Sequence, residues 1–297
     1  MPAKPSYIQP LCTDFKSVAR ALTIVENDLQ GAYELLKGLV FTKVTPVVGI
    51  TGPPGAGKST LVNALIGRLA ADNKKIAVLA IDPTSPFNFG SLLGDRIRMA
   101  AHFNHPDVFI RSLAARGSLG GLSAKTIEMT DVLRAAGFDY VIVETVGVGQ
   151  SEVEIAGLAD LTFLVLVPDS GDEVQSMKSG LMEIADAFII NKADRADAEL
   201  FANNLVKIIH QSSGDSIPVL KTVATKNEGI DEVARFILSA NNNKNNRKEY
   251  LLAEKAYRII QQKRMAGVDK KLLVRQIARA MSDARFNLYN FIDDLYT

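Results

Sequence analysis

Apolar positions along the chain follow two rhythms. Seven short runs are mostly continuous, with no alternation of polar and apolar residues: VVGIT (47–51), IAVLAID (76–82), VFIRSL (108–113), YVIVET (140–145), LTFLVLV (161–167), AFIINK (187–192) and IPVLKTV (217–223). Strands of this kind are covered on both faces, as in a parallel sheet. Most of the stretches between them are long enough for crossover helices. The pattern predicts an α/β fold with a doubly wound, mainly parallel sheet of about seven strands. The second rhythm is helical. Over residues 13–41, Val18, Leu22, Val25, Leu29, Leu36 and Leu39 recur mostly at steps of three and four, which predicts a helix. Residues 250–297 read the same way, as a helical pair with Leu272, Leu273, Ile277, Ala280 and Met281 on one stripe. The tract NNNKNNRKE (241–249) has no apolar residue and reads as a linker or a solvated helix end. The expected organisation is therefore a helical extension over 1–45, an α/β domain over 46–240, and a linker with a C-terminal helical segment over 241–297.

Composition narrows the class. Of the 297 residues, 47% are apolar, enough for a sizeable core. A formal net charge of +1 gives no broad pull toward nucleic acid or an anionic membrane, and neither partner is expected. The one cysteine, Cys12, cannot form an intrachain disulfide, which suits a reducing compartment. There is no 18-residue apolar run. The N-terminal MPAKPSYIQPLCTDFK lacks both the apolar core of a signal peptide and the Arg-rich look of a transit peptide. A cytoplasmic location is expected.

The most specific chemistry follows the first apolar run. Gly52-Pro-Pro-Gly-Ala-Gly57-Lys58-Ser59 fits G-x-x-x-x-G-K-[ST]. Glycines permit the backbone angles in which successive N–H groups point inward at a phosphate. Lys58 then reaches the β- and γ-phosphates, and the Ser59 hydroxyl reaches Mg2+. The helix from Thr60 presents its positive end. The loop lies between an expected strand and an expected helix, the context the motif needs. Pro53, in place of a lysine, argues against the two-lysine loop of cell-division and partitioning ATPases.

Asn191-Lys192-Ala193-Asp194 closes a later strand as N-K-x-D. A carboxylate at a base edge accepts from both the ring N–H and the exocyclic amine of guanine, a donor pair that adenine lacks. Lys192 is expected to pack along the base plane and Asn191 to tie loops together. The plainer alternative makes Asp194 a helix N-cap. Val223-Ala224-Thr225 is a candidate for a further base loop, with the Ala224 N–H near the guanine carbonyl, and an ordinary turn is the alternative.

Acidic residues supply the remaining candidates. Glu144 ends the strand YVIVE, and Gly147 follows shortly after. P-loop proteins place an acid near the Mg2+ shell and a glycine at the γ-phosphate in that position. The alternative for Glu144 is a strand-end acid facing solvent. Val148 stands where small signalling GTPases carry a glutamine, and Gln150 is displaced, so intrinsic hydrolysis is expected to be slow. Asp82 and Asp95 are two further acids expected on the same rim, close to Mg2+ or the attacking water, or else solvated loop acids. Arg98 is either a charge stabiliser or a surface arginine. The stretch GDEVQSMKSG (171–180) contributes Asp172, Glu173 and Lys178, and reads by itself as a capped helix start.

Several of these segments occur together in one family. ETVGVGQSE (144–152), IDPTSP (81–86), GSLLGDRIRM (90–99), RGSLGGLS (116–123) and GDEVQSMKSG…IADAFIINKAD (171–194) resemble the MeaB/ArgK branch of the SIMIBI-class P-loop GTPases. The resemblance runs from Val47 to Ile237 and more loosely over the flanking helices. It implies that residues 46–240 form a GTPase domain. It implies a G-protein chaperone of an adenosylcobalamin-dependent acyl-CoA mutase, notably methylmalonyl-CoA mutase, which gates cofactor delivery and protects or reactivates the mutase. Phosphate contacts are implied for Gly55, Ala56, Gly57, Lys58, Ser59 and Thr60. Metal or γ-phosphate roles are implied for Ser59, Asp82, Asp95 and Glu144, and guanine contacts for Asn191, Lys192 and Asp194. The loop from Asp172 to Lys178 resembles the family's extra switch, and the C-terminal helices resemble its dimerisation arm, so a homodimer is implied. Mg2+ with GTP or GDP is the implied ligand set, with no cobalamin bound directly. The chain departs from the family pattern at Phe89, where a second glycine is usual, and at Val223, where a small polar residue is usual. Its N-terminal extension also looks short.

Two other functions fit a phosphate loop. A nickel-type metallocentre-assembly GTPase would need soft or imidazole ligands, and the chain offers Cys12, His102, His105 and His210. His102 and His105, three apart, could share a helix face. A kinase acting on a transport protein would need an acceptor pocket, which no motif suggests.

Overall fold

The computed structural model describes residues 14–82, 99–114, 124–145, 155–170, 184–213, 217–240, 248–282 and 286–296. Seven strands form one parallel sheet: β1 (Val47–Thr51), β2 (Ile76–Asp82), β3 (Val108–Ala114), β4 (Tyr140–Glu144), β5 (Leu161–Leu166), β6 (Ala187–Asn191) and β7 (Val219–Thr222). Their spatial order is β3-β2-β4-β1-β5-β6-β7. Every described pairing is parallel, with Ile50 opposite Glu144 in β4 and opposite Phe163 in β5. The unbroken apolar runs are explained by cover on both faces: every residue of β1, β4, β5 and β6 is buried. Each large apolar side chain buried in this way contributes roughly 1.5–3 kcal/mol.

On one face lie α3 (Lys58–Ala71) and α6 (Ile230–Ala240). Leu61, Leu65 and Leu69 of α3 and Val233 and Ile237 of α6 pack against Val48, Ile50, Val78, Ile142 and Phe163. On the other face lie α1 (Phe15–Glu26) and α4 (Ala124–Ala135). There Val18, Leu22 and Val25 meet Val47, Leu79, Val141 and Val143. Phe15, Phe109 and Phe138 form an aromatic trio at centroid distances of 5.6, 5.9 and 6.1 Å. A third cluster joins Leu205 and Ile209 of α5 (Ala198–Ser213) to Leu164, Phe188 and Ile190. Gly49 of β1 has no room for a side chain on this face, where Ile155 and Ala159 lie against it. A Cβ there would stand 2.7 Å from Ile155 Cγ1 and 2.9 Å from Ala159 Cβ.

The helix expected over 13–41 is two helices, α1 and α2 (Ala32–Lys37). Asp14 caps α1, accepting the Ser17 N–H at 2.7 Å. The chain breaks afterwards at two left-handed residues, Asp28 (φ 51°) and Gly31 (φ 90°). The three- and four-residue spacing continued through the break and hid it.

Residues 1–252 form one compact unit and residues 253–297 a second. α7 (Lys248–Met265) spans that division and takes up the end of the polar tract; residues 241–247 lie outside the described set. The second unit contains α8 (Lys270–Ala280) and α9 (Leu288–Tyr296), so the C-terminal segment holds three helices where a pair was expected. Asp269 caps α8 by accepting the Lys271 N–H at 2.8 Å. No residue of α8 is buried: Leu273, Ile277 and Ala280 are half-buried, and Leu272 and Met281 are exposed.

Candidate nucleotide-binding site

Strand β1 lies between β4 and β5, with β2 to β4 added on one side of it and β5 to β7 on the other. Ligands of open parallel sheets bind at the carboxyl ends of strands at such a reversal. The loop from Gly52 to Gly57 starts there and runs into α3. Its glycines are fixed by different needs. Gly52 has φ 141°, and a Cβ on it would stand 2.1 Å from Val165 O. Gly57 has φ 85°, and a Cβ on it would stand 2.4 Å from Asn191 Nδ2. No side chain fits either position.

The polar residues of the loop are held by neighbours that the sequence spaces far apart. Lys58 Nζ donates to Gly52 O at 2.7 Å and Pro53 O at 3.0 Å, so the ammonium folds back onto its own loop. Ser59 Oγ donates to Glu144 Oε1 at 2.7 Å, with both residues buried. Glu144 therefore does not face solvent. A serine hydroxyl and a carboxylate in contact are hard oxygen donors of the kind Mg2+ takes, the ion usually keeping several waters and binding through one or two carboxylates plus phosphates. The pair fits that ion.

Asn191, at the end of β6, joins three segments. Its Nδ2 donates to Ala56 O at 2.9 Å, and its Oδ1 accepts from Thr222 Oγ1 at 3.1 Å and from the Ala224 N–H at 3.2 Å. One amide thus holds the phosphate loop to the segment after β7. Lys192 takes a left-handed conformation (φ 58°), and its Nζ donates to Gly55 O at 2.9 Å. Asp194 is partly exposed and pairs with Lys226 Nζ at 3.3 Å. It lies before the start of α5 and does not cap it, so the N-cap alternative is not realised. Arg195, next along, pairs with Asp169 in the turn Pro168–Ser170 after β5.

Val223 and Ala224 are buried and Thr225 is exposed. The Ala224 N–H, expected at the guanine carbonyl, is directed at Asn191 in this structure. Val223 exchanges backbone bonds with Glu228 at 3.0 and 3.3 Å, closing a small loop through Asn227 (φ 59°), with Gly229 (φ 74°) just after it. Thr60 continues the first turn of α3.

Other expected residues stand apart or lie outside the described residues. Asp82 ends β2, paired by register with Ala114, and its side chain is outside the described set. Asp95, Arg98, Gly147, Asp172, Glu173 and Lys178 lie outside the described residues, as do Phe89, Val148, Gln150 and Cys12. His102 and His105 do not share a helix face. His102 Nε2 lies 3.1 Å from Asn63 O on α3, and His105 Nδ1 accepts the Asp107 N–H at 3.2 Å. His210 is exposed on α5. Among the described residues no group of three or more His, Cys, Asp or Glu could hold a metal ion.

Sequence reading missed two features near the site. Thr145 Oγ1 donates to Thr51 Oγ1 at 2.8 Å, and Thr222 braces Asn191. Each is a threonine at a strand end, and strand register is what would have revealed the partners.

The sequence profile of the family described as "Methylmalonyl Co-A mutase-associated GTPase MeaB" matches residues 18–280. The chain belongs to the MeaB family. A relative from Pyrococcus abyssi is 52% identical over 227 residues, covering 74% of this chain and 70% of its own. The GTPase ArgK of Escherichia coli is 37% identical over 235 residues, covering 75% and 71%. Among solved structures, that of a protein named LAO/AO transport system kinase superposes with a TM-score of 0.68 at 26% identity, over 98% of this chain and 95% of the other. The MeaB-family match and the seven-stranded parallel sheet establish a P-loop GTPase fold of SIMIBI type, and GTP hydrolysis is the activity.

Proposed function

We propose that this MeaB-family GTPase is a G-protein chaperone of an adenosylcobalamin-dependent acyl-CoA mutase, with methylmalonyl-CoA mutase the partner. It would gate cofactor delivery and protect or reactivate the mutase, working in the cytoplasm as a homodimer through its C-terminal helices. The observation that carries this reading is the family match over residues 18–280, whose description names that mutase. GTP is the switch ligand, and cobalamin stays with the mutase.

Residue roles follow from the chemistry of phosphoryl transfer, which depends on positioning and charge stabilisation. Backbone N–H groups of Gly55, Ala56, Gly57, Lys58, Ser59 and Thr60 receive phosphate oxygens. The Lys58 ammonium exchanges Gly52 O and Pro53 O for the β- and γ-phosphates. Ser59 and Glu144 would hold Mg2+, with Asp82 and Asp95 contributing at its shell or at the attacking water. The ion, when bound, neutralises charge on the phosphates. Asp194 accepts from the two guanine donors after releasing Lys226, Lys192 lies along the base, and Asn191 keeps the base loop, including Val223, Ala224 and Thr225, in register with the phosphates. Gly147 serves the γ-phosphate, and the stretch with Asp172, Glu173 and Lys178 carries the nucleotide state to the mutase. Loss of the γ-phosphate releases such segments, which is how hydrolysis becomes a conformational signal.

The test mixes the purified chain with methylmalonyl-CoA mutase. Co-sedimentation in the presence of a non-hydrolysable GTP analogue, and a rise in GTP turnover on adding mutase, are expected. Turnover indifferent to the mutase, with no complex, rejects the partner. A kinase reading is favoured only by the name of the related solved structure. Labelled γ-phosphate should appear as free phosphate, and transfer to a protein would revive that reading. A nickel-assembly role finds no ligand cluster among the described residues.

A further inference from the structure

We infer that the buried hydroxyl pair Thr51–Thr145 is a positioning device for GTP hydrolysis. It sets the distance between the end of β1, which opens the phosphate loop, and the end of β4, which carries Glu144. The inference rests on the assignment of Ser59 and Glu144 to the cation.

Thr145 Oγ1 donates to Thr51 Oγ1 at 2.8 Å, and both residues are at most 1% exposed. The ladder between β1 and β4 has its last paired residues at Ile50 and Glu144. One step further, the Thr145 N–H donates to Ile50 O at 3.0 Å, and the two hydroxyls meet beside that bond. Side chains alternate along a strand, so Glu144 turns toward Ser59 and α3 while Thr145 turns to the opposite face. Each member sits one residue from a group that holds the phosphate loop: Gly52, after Thr51, accepts from Lys58, and Glu144, before Thr145, accepts from Ser59.

Two hydroxyls at this separation bring strand ends closer than apolar groups can. Carbon atoms settle at about 3.5–4.0 Å, so a valine pair of the same shape pushes the ends apart by about 1 Å. A shift of that size at a reacting centre costs up to about 100-fold in rate. A single valine adds a second effect, because it leaves the other hydroxyl buried without its partner.

The test uses the full chain and four variants: Thr51→Val, Thr145→Val, Thr145→Ser and the double Thr51→Val/Thr145→Val. GTP turnover, GDP affinity and thermal unfolding are measured for each. Both single valines should lower kcat by about 10- to 100-fold, with KM for GTP within about threefold. Thr145→Ser, which keeps the hydroxyl, should stay within about twofold of the parent. The double variant has no orphaned hydroxyl and should recover its unfolding midpoint while kcat stays low. If the single variants do not fold, the double variant carries the test alone. A double variant with parental kcat overturns the proposal, as does a rate loss that follows stability across the series. Failure of the cation assignment reads out separately, as Glu144→Gln leaving the Mg2+ dependence of nucleotide binding unchanged.

Discussion

Asn191 shows how much of the site rests on one side chain. It offers one donor group and one acceptor, and it spends them on Ala56 O, the Thr222 hydroxyl and the Ala224 N–H. Gly57 makes room for it. Gly57→Ala would place a methyl group 2.4 Å from Asn191 Nδ2 at a φ of 85°. It should destabilise the fold by about 1–3 kcal/mol and weaken GTP binding, as measured by urea unfolding and calorimetry. Gly55 has φ 77°, but a Cβ added there would meet nothing within 4 Å, so Gly55→Ala should cost less in both measurements. Asp194→Asn replaces one acceptor oxygen with a donor and should narrow the preference for GTP over ATP. Competition binding with both nucleotides checks it, and unchanged discrimination would remove Asp194 from the base site. The phosphate loop and N-K-x-D were legible because their chemistry lies within a few consecutive residues. The Thr51–Thr145 pair was not, since its partners are 94 residues apart and meet only through register.

At the scale of elements, the strands were easier to read than the helices. Burial on both faces leaves a nearly uninterrupted apolar run, which β1, β4, β5 and β6 display directly. The break between α1 and α2 depends instead on the left-handed backbone of Asp28, a conformation no spacing rule detects. Connections between elements are fixed by single side chains. Asp139, just before β4, accepts from Lys43 Nζ ahead of β1 and from the Lys75 N–H ahead of β2, both at 2.7 Å. Burial pushes its carboxyl upward, but Lys43 and the Lys75 N–H outweigh that and hold it below the ordinary value. A lowered folded pKa means that the stabilisation is fully present above the ordinary carboxylate value of about 3.9 and is lost as pH falls through the folded one. Asp139→Asn should therefore unfold at a lower temperature than the parent at pH 7. The two melting curves should converge below about pH 4, and a gap independent of pH would exclude the ionic contribution.

For the whole molecule, the helical C-terminal unit is a separate problem from the nucleotide fold. The apolar stripe expected there is present, but α8 buries none of it, and Leu272, Val274 and Met281 are all exposed. The dimer arm proposed above would cover this stripe with a second copy. Leu272→Glu should shift the protein from dimer to monomer in sedimentation velocity and leave intrinsic GTP hydrolysis unchanged. A dimer that survives would place the contact elsewhere. The order of strands in the sheet also bears on how the protein is made. β1 pairs with β4 and β5 and has no sequence neighbour beside it. Ser59 precedes its partner Glu144 by 85 residues, and Ala56 precedes Asn191 by 135. On the ribosome the phosphate loop is thus synthesised early and closed late. Stalled nascent chains that end before β6 should be unable to retain GTP, and the growing polypeptide acquires its nucleotide only after most of the sheet has left the exit tunnel.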